Sequence, residues 1–140
     1  MDIEQYIPSE AESLIDGGTL LKNLLSECKE KHTNSAVHNI QYSKGKCTFE
    51  LVENKDVDCG FYETSVQCAS FTIECIGIRK IKQDGTGDLD FGYYADIKFA
   101  VKKLPNKTFV SFSYIHEWTQ TDLFYVEAEK MKLIKYEKSN

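Results

Sequence analysis

Residues 91–103, FGYYADIKFAVKK, alternate in character along their whole length. Phe91, Tyr93, Ala95, Ile97, Phe99 and Val101 share one parity; Gly92, Tyr94, Asp96, Lys98, Ala100 and Lys102 share the other. A period of two marks a strand with one buried face. Leu104-Pro105-Asn106-Lys107 then turns the chain, and 108–118 alternates again, with Val110, Phe112 and Tyr114 against Ser111 and Ser113. Two such runs joined by a tight turn predict an antiparallel hairpin.

The same period extends outward in both directions. Residues 46–53 put Cys47, Phe49 and Leu51 on one face, and 37–42 lead into them through Ser43-Lys44-Gly45, a turn of hairpin length. The long run 62–81 changes its apolar parity twice. Val66 and Cys68 share one parity, Phe71, Ile73 and Cys75 the other, and Ile76 and Ile78 switch back. A strand that changes its buried face needs a bulge, a sharp coil or burial on both sides. Residues 123–138 combine helix propensity over Glu127–Leu133 with strand-like alternation of Met131 and Leu133 against lysines, and the alternation predicts a strand.

The N-terminal third has a different period. Leu20, Leu21, Leu24, Leu25 and Cys28 recur at helical spacing up to about Lys31, with Lys22, Asn23, Glu27, Lys29 and Glu30 elsewhere on the wheel. A shorter helix is expected before it, with Ser9 and Glu12 at capping-box spacing and Gly17-Gly18 as its stop. Thr19 is a candidate cap for the longer helix. The expected fold is α+β: one domain over 1–140, with a short and a longer N-terminal helix packed on a curved antiparallel meander of five or six strands. In element order alone this resembles cystatin-like and NTF2-like layouts.

Composition narrows the function classes. The chain has 140 residues, 41% of them apolar and 28% charged, which is ordinary for one globular domain with a core of its own. The N-terminus has no basic and apolar leader pattern, no run is long enough to span a bilayer, and the expected location is cytoplasmic. The five cysteines (Cys28, Cys47, Cys59, Cys68, Cys75) form no C-x-x-C and read as thiols in a reducing compartment. Net charge is −5, concentrated in 1–35, where seven acids face three bases. With no basic stripe to neutralise phosphates, nucleic-acid binding is not expected.

Motifs for chemistry fail on spacing. The segment DGTGDLDFG, 84–92, misses the EF-hand pattern in both registers and is followed by a strand, so it reads as a turn-rich connection. His116-Glu117-Trp118-Thr119-Gln120 lacks the second histidine of a zinc protease helix. No metal or other cofactor is expected, and no catalytic residue is assigned. Of the 17 aromatic residues, Phe91, Tyr93, Tyr94, Phe99, Phe109, Phe112, Tyr114, Trp118, Phe124 and Tyr125 crowd the last third of the chain.

The leading expectation is therefore a non-enzymatic acidic domain that binds a basic protein partner, in the manner of an immunity protein or inhibitor. Contact is expected through Glu10, Glu12, Asp16, Asp84, Asp88 and Asp90, with Tyr94 as an aromatic anchor. A second reading is a small-molecule or enzymatic pocket with His116 at its mouth and Tyr114 and Trp118 as walls. It requires a carboxylate within reach of His116, and the parity of Asp96 turns it away from that face. A third is a homo-oligomeric, chaperone-like assembly module.

Overall fold

The computed structural model describes residues 2–139. A 3₁₀ turn at Ile3–Gln5 precedes α1 (Ser9–Leu14), the two-residue strand β1 (Ile15–Asp16) and α2 (Gly18–Glu30). The chain then runs through β2 (Asn34–Ser43), β3 (Lys46–Asp58), β4 (Glu63–Gln83), β5 (Ala95–Leu104), β6 (Lys107–His116) and β7 (Thr121–Lys138). The class is α+β with a large, mostly antiparallel sheet. The ambiguous segment 123–138 is strand.

The sheet is not the single meander of five or six strands that the pattern predicts. Its seven strands include an order β2-β3-β4-β7-β6-β5, with β1 pairing β7 in parallel. Two three-strand hairpin series are joined so that the last strand, not the next one, lies beside β4. The physical reason is in the β4–β5 connection. Val37 and Leu89 exchange both backbone hydrogen bonds at 2.8 Å, so this connection lies along β2 and carries the chain away from β4 to the far edge of the sheet. DGTGDLDFG is thus a connection that also covers part of an exposed strand edge.

The first parity change in β4 falls at a bulge. The second, between Cys75 and Ile76, falls where pairing with β3 and β7 runs in step, and the second bulge comes after Ile78. Against β3, Glu53 pairs with Ala69 and Asn54 with Gln67, leaving Cys68 as the extra residue. Against β7, Ile78 pairs with Ala128 and Lys80 with Glu127, leaving Arg79 extra. The expected strand at Phe91 starts later, at Ala95, because Gly92–Tyr94 forms a 3₁₀ turn. Ala95, Ile97 and Phe99 are buried as the alternation requires, whereas Phe91 and Tyr93 are exposed.

The helix caps also differ from the sequence pattern. Ser9 lies inside α1 and its hydroxyl donates to Glu4, while Pro8 occupies the cap position. The α2 cap is Gly17, in the left-handed region at φ 80°, and the Thr19 hydroxyl donates to Glu12 at 2.9 Å. Leu21, Leu25 and Cys28 of α2 are buried in one cluster with Phe49, Phe71, Phe99, Phe112 and Phe124 from the sheet. The rings of Phe49 on β3 and Phe112 on β6 have centroids 4.7 Å apart, although β4 and β7 separate their strands in the sheet order. The space beneath the helix is filled by side chains.

Candidate functional site

One end of the molecule gathers charged groups from four separate segments. Lys29 is in the last turn of α2, Ser35 starts β2, Glu53 lies on β3 and Asp96 starts β5. The Lys29 ammonium lies 2.9 Å from Glu53 and donates to the Ser35 hydroxyl at 2.7 Å. Glu53, wholly buried, also accepts from the hydroxyls of Thr33, at 2.6 Å, and Ser35. A buried carboxylate is tolerable only when a cation and hydrogen-bond donors surround it, and here one cation and two hydroxyls do so. Tyr6 covers this network, with the Lys29 ammonium 5.1 Å from its ring centroid.

Tyr114 ties the network to the sheet. Its hydroxyl donates to the Ser35 carbonyl at 2.8 Å and accepts the Phe91 N–H at 3.0 Å. Burial pushes this phenol up to about 12, so it remains a neutral donor across the physiological range. Tyr114 is therefore a structural strut, fully buried, and not a wall of an open pocket.

Two adjoining clefts open beside the network. The first, about 430 Å³, includes Gln5, Ile97, Lys98, Ile115 and Gln120 in its lining; the second, about 410 Å³, includes Lys29, His32, Asn34 and Tyr93. Tyr6, Asp96 and Glu117 line both. Asp96 is opposite Ile115 in the β5–β6 register, which places both on the cleft side. Burial, the largest influence, holds the Asp96 carboxyl above the ordinary aspartate range, and the nearby Glu117 charge adds to it. The Ile97 N–H and the Lys29 charge act in the other direction.

His116 does not line either cleft. Strand alternation sends it toward Phe91, at 6.1 Å between ring centroids, while its neighbours Ile115 and Glu117 face the cleft. Its Nδ1 lies 3.5 Å from the Thr119 N–H, and among the described residues no ion pair to it forms. The pocket of the second sequence reading, with a carboxylate orienting His116, is absent from the geometry around this residue. Trp118 is 79% exposed and meets Tyr94 edge to face at 5.5 Å, so the two rings make one external aromatic pair. Tyr94 is held there by its carbonyl, which accepts the Glu117 N–H at 2.8 Å.

The acids singled out in the sequence fall into two separate groups. Glu10 pairs with Lys103 at 3.4 Å, at the far end of β5 from Tyr94. Eight residues separate Ala95 from Lys103, about 26 Å at strand rise. Glu12 is engaged by Thr19 and Lys22, and Asp16 lies 4.0 Å from Lys132. By contrast, Asp84, Asp88 and Asp90 sit on the β4–β5 connection, which leads to Tyr94. Asp88 has a structural task as well, accepting the N–H of Asn39 at 2.9 Å, where a β2–β3 irregularity puts Asn39 at φ 52°.

Residues that sequence reasoning missed are Tyr6, Lys29, Glu53 and Glu117, and also Phe61 and Tyr62 at the β3–β4 turn. Phe61 is fully exposed and Tyr62 largely so. The signal for the last two was available, since adjacent aromatics at a turn between strands have no core to enter. Among the described residues no three potential metal ligands converge, and no helix is long and apolar enough to cross a membrane. In comparisons with known proteins, no family model, curated protein or solved structure matches the chain.

Proposed function

We propose that the chain is a non-enzymatic acidic domain that binds a basic protein partner, as an immunity protein or inhibitor does, through the end that carries Tyr94 and Trp118. The observation that carries this reading is the exposed Tyr94–Trp118 pair beside the carboxylates of Asp96 and Glu117. Tryptophan and tyrosine are the residues most often found as binding anchors, and flanking acids favour a cationic surface opposite them. Contacts across the sheet order, Phe49 to Phe112 and Tyr114 to Ser35, support a strongly curved sheet whose two edge strands approach at this end. The loop acids Asp84, Asp88 and Asp90 belong to the proposed surface. Glu10, Glu12 and Asp16 do not, because lysines already engage them elsewhere.

The test is affinity capture from the source cells with the full chain, with Tyr94→Ala/Trp118→Ala, and with Asp84 and Asp90 changed to lysine. The expected result is recovery of a basic protein by the unaltered chain, and its loss with both variants while their folding is intact. Recovery of the same proteins by all three would remove this surface from the function.

A further inference from the structure

The two clefts share three residues, and those three differ in how well their polar atoms are satisfied. Tyr6 is buried against Lys29, and Glu117 is exposed. Asp96 is intermediate, with 37% of its side chain open to solvent. Its only hydrogen-bond donor at close range among the described residues is the Ile97 N–H, at 2.8 Å. The nearest ammonium, Lys29, stays 4.0 Å away because Glu53 and Ser35 hold it. Asp96 thus has acceptor capacity directed at a cleft, and the cation beneath it is committed to another carboxylate.

We propose that the joined clefts receive the guanidinium group of an arginine presented by the partner chain, with Asp96 and Glu117 as its carboxylate contacts and the Tyr6 and Tyr93 rings as its walls. This deepens the protein-binding reading above and rests on it. Three features favour arginine over lysine. Two carboxylates approach, one from β5 and one from the turn after β6, and a planar fork with five donors can serve both at once, whereas an ammonium acts as a point charge. Aromatic walls suit a flat, weakly hydrated cation better than a compact, strongly hydrated one. The buried Lys29–Glu53 pair gives the floor fixed polar groups with no net charge to repel the ligand. Lys98 and His32 also line the clefts; Lys98 is exposed and lines only the first, and His32 only the second.

The test is an amide chemical-shift titration of the full chain with the blocked peptide acetyl-Gly-Gly-Arg-Gly-Gly-amide. The same peptide with lysine or citrulline in place of arginine, and free L-arginine, are the comparison ligands. Saturable shifts at Tyr6, Asp96, Ile97 and Glu117 are expected at millimolar arginine peptide, weaker with lysine and absent with citrulline. Free arginine, which has the guanidinium but lacks the flanking peptide backbone, should bind more weakly than the blocked peptide. Asp96→Asn and Glu117→Gln should each weaken binding about tenfold, the size of one ordinary polar contact, with amide dispersion unchanged. No saturable shift, equal response to citrulline, or free arginine binding as tightly as the peptide would each overturn the proposal. If Asp96→Asn binds the arginine peptide as tightly as the unaltered chain while the Tyr94→Ala/Trp118→Ala variant still loses the captured partner, the arginine site falls and the protein-binding reading stands.

Discussion

The Lys29 ammonium and the Glu53 carboxylate lie 2.9 Å apart, with both side chains withdrawn from water. Such a pair stabilises little against a well-packed apolar alternative, but losing one member leaves an uncompensated buried charge. Lys29→Met is therefore expected to cost about 3–5 kcal/mol. Lys29→Met combined with Glu53→Leu should cost less than Lys29→Met alone. Urea unfolding of the single and double variants measures this. A single variant near wild-type stability would mean that water reaches Glu53 freely.

The thiols should divide by burial. Cys28, Cys47 and Cys75 are buried, and burial pushes the Cys28 and Cys47 thiols up to about 11 and Cys75 well above its ordinary value. Cys59 is exposed at the β3–β4 turn. Only the thiolate reacts, so at neutral pH an aromatic disulfide reagent should label Cys59 quickly and the buried three only as the protein unfolds. Mass spectrometry of the labelled chain reads the order. Rapid labelling of Cys47 or Cys75, which stand opposite one another across β3 and β4, would contradict the packing there.

How much of this was legible depends on the range of the signal. The apolar face of α2, the alternation of β5 and β6 and the first parity change of β4 are local properties, and each has its counterpart in the structure. The pairing of β4 with β7 is not local. It joins segments such as Cys75 and Met131, and nothing in either run specifies the other. The cleft was hidden for a related reason. Lys29 reads as a solvated position on the α2 wheel and Glu53 as the polar end of a strand, and only the tertiary fold makes them partners. His116 shows the limit of alternation, which gives its parity correctly while the cleft is lined by its neighbours Ile115 and Glu117.

The α1–α2 junction allows propensity and packing to be separated. Gly18 is the first residue of α2, where alanine is intrinsically favoured over glycine by about 1 kcal/mol. A Cβ at this position, however, would overlap the Glu12 carbonyl oxygen and press on the Ile15 side chain. Backbone cannot yield as a flexible side chain does, so Gly18→Ala is expected to destabilise by about 1–3 kcal/mol, the range for overpacking. Thermal unfolding measures the sign. A stabilised variant would show that α1 can move away from α2 freely.

The acid limb of stability should depend on Lys22. This ammonium bonds to both Glu4 and Glu12, which ties the first turn of the chain and α1 to α2. The Lys22 hydrogen bond, with help from Ser9, lowers the Glu4 carboxyl below its ordinary value, and the Thr19 hydroxyl followed by Lys22 lowers Glu12. A carboxyl lowered by folding favours the folded state when ionised. That contribution is present above the ordinary glutamate value and is lost as pH falls through the lowered one. Asp96 acts in the opposite sense, since its raised value makes its contribution fade as pH rises through it. Lys22→Met removes the shared cation from Glu4 and Glu12 and leaves Asp96 untouched. It should therefore unfold more easily than wild type near neutral pH, with the difference shrinking as both carboxyls protonate. Urea midpoints followed from about pH 7 to about pH 3 measure that convergence. A difference that stays constant over the whole range would mean that Lys22 acts through its aliphatic packing and not through its charge.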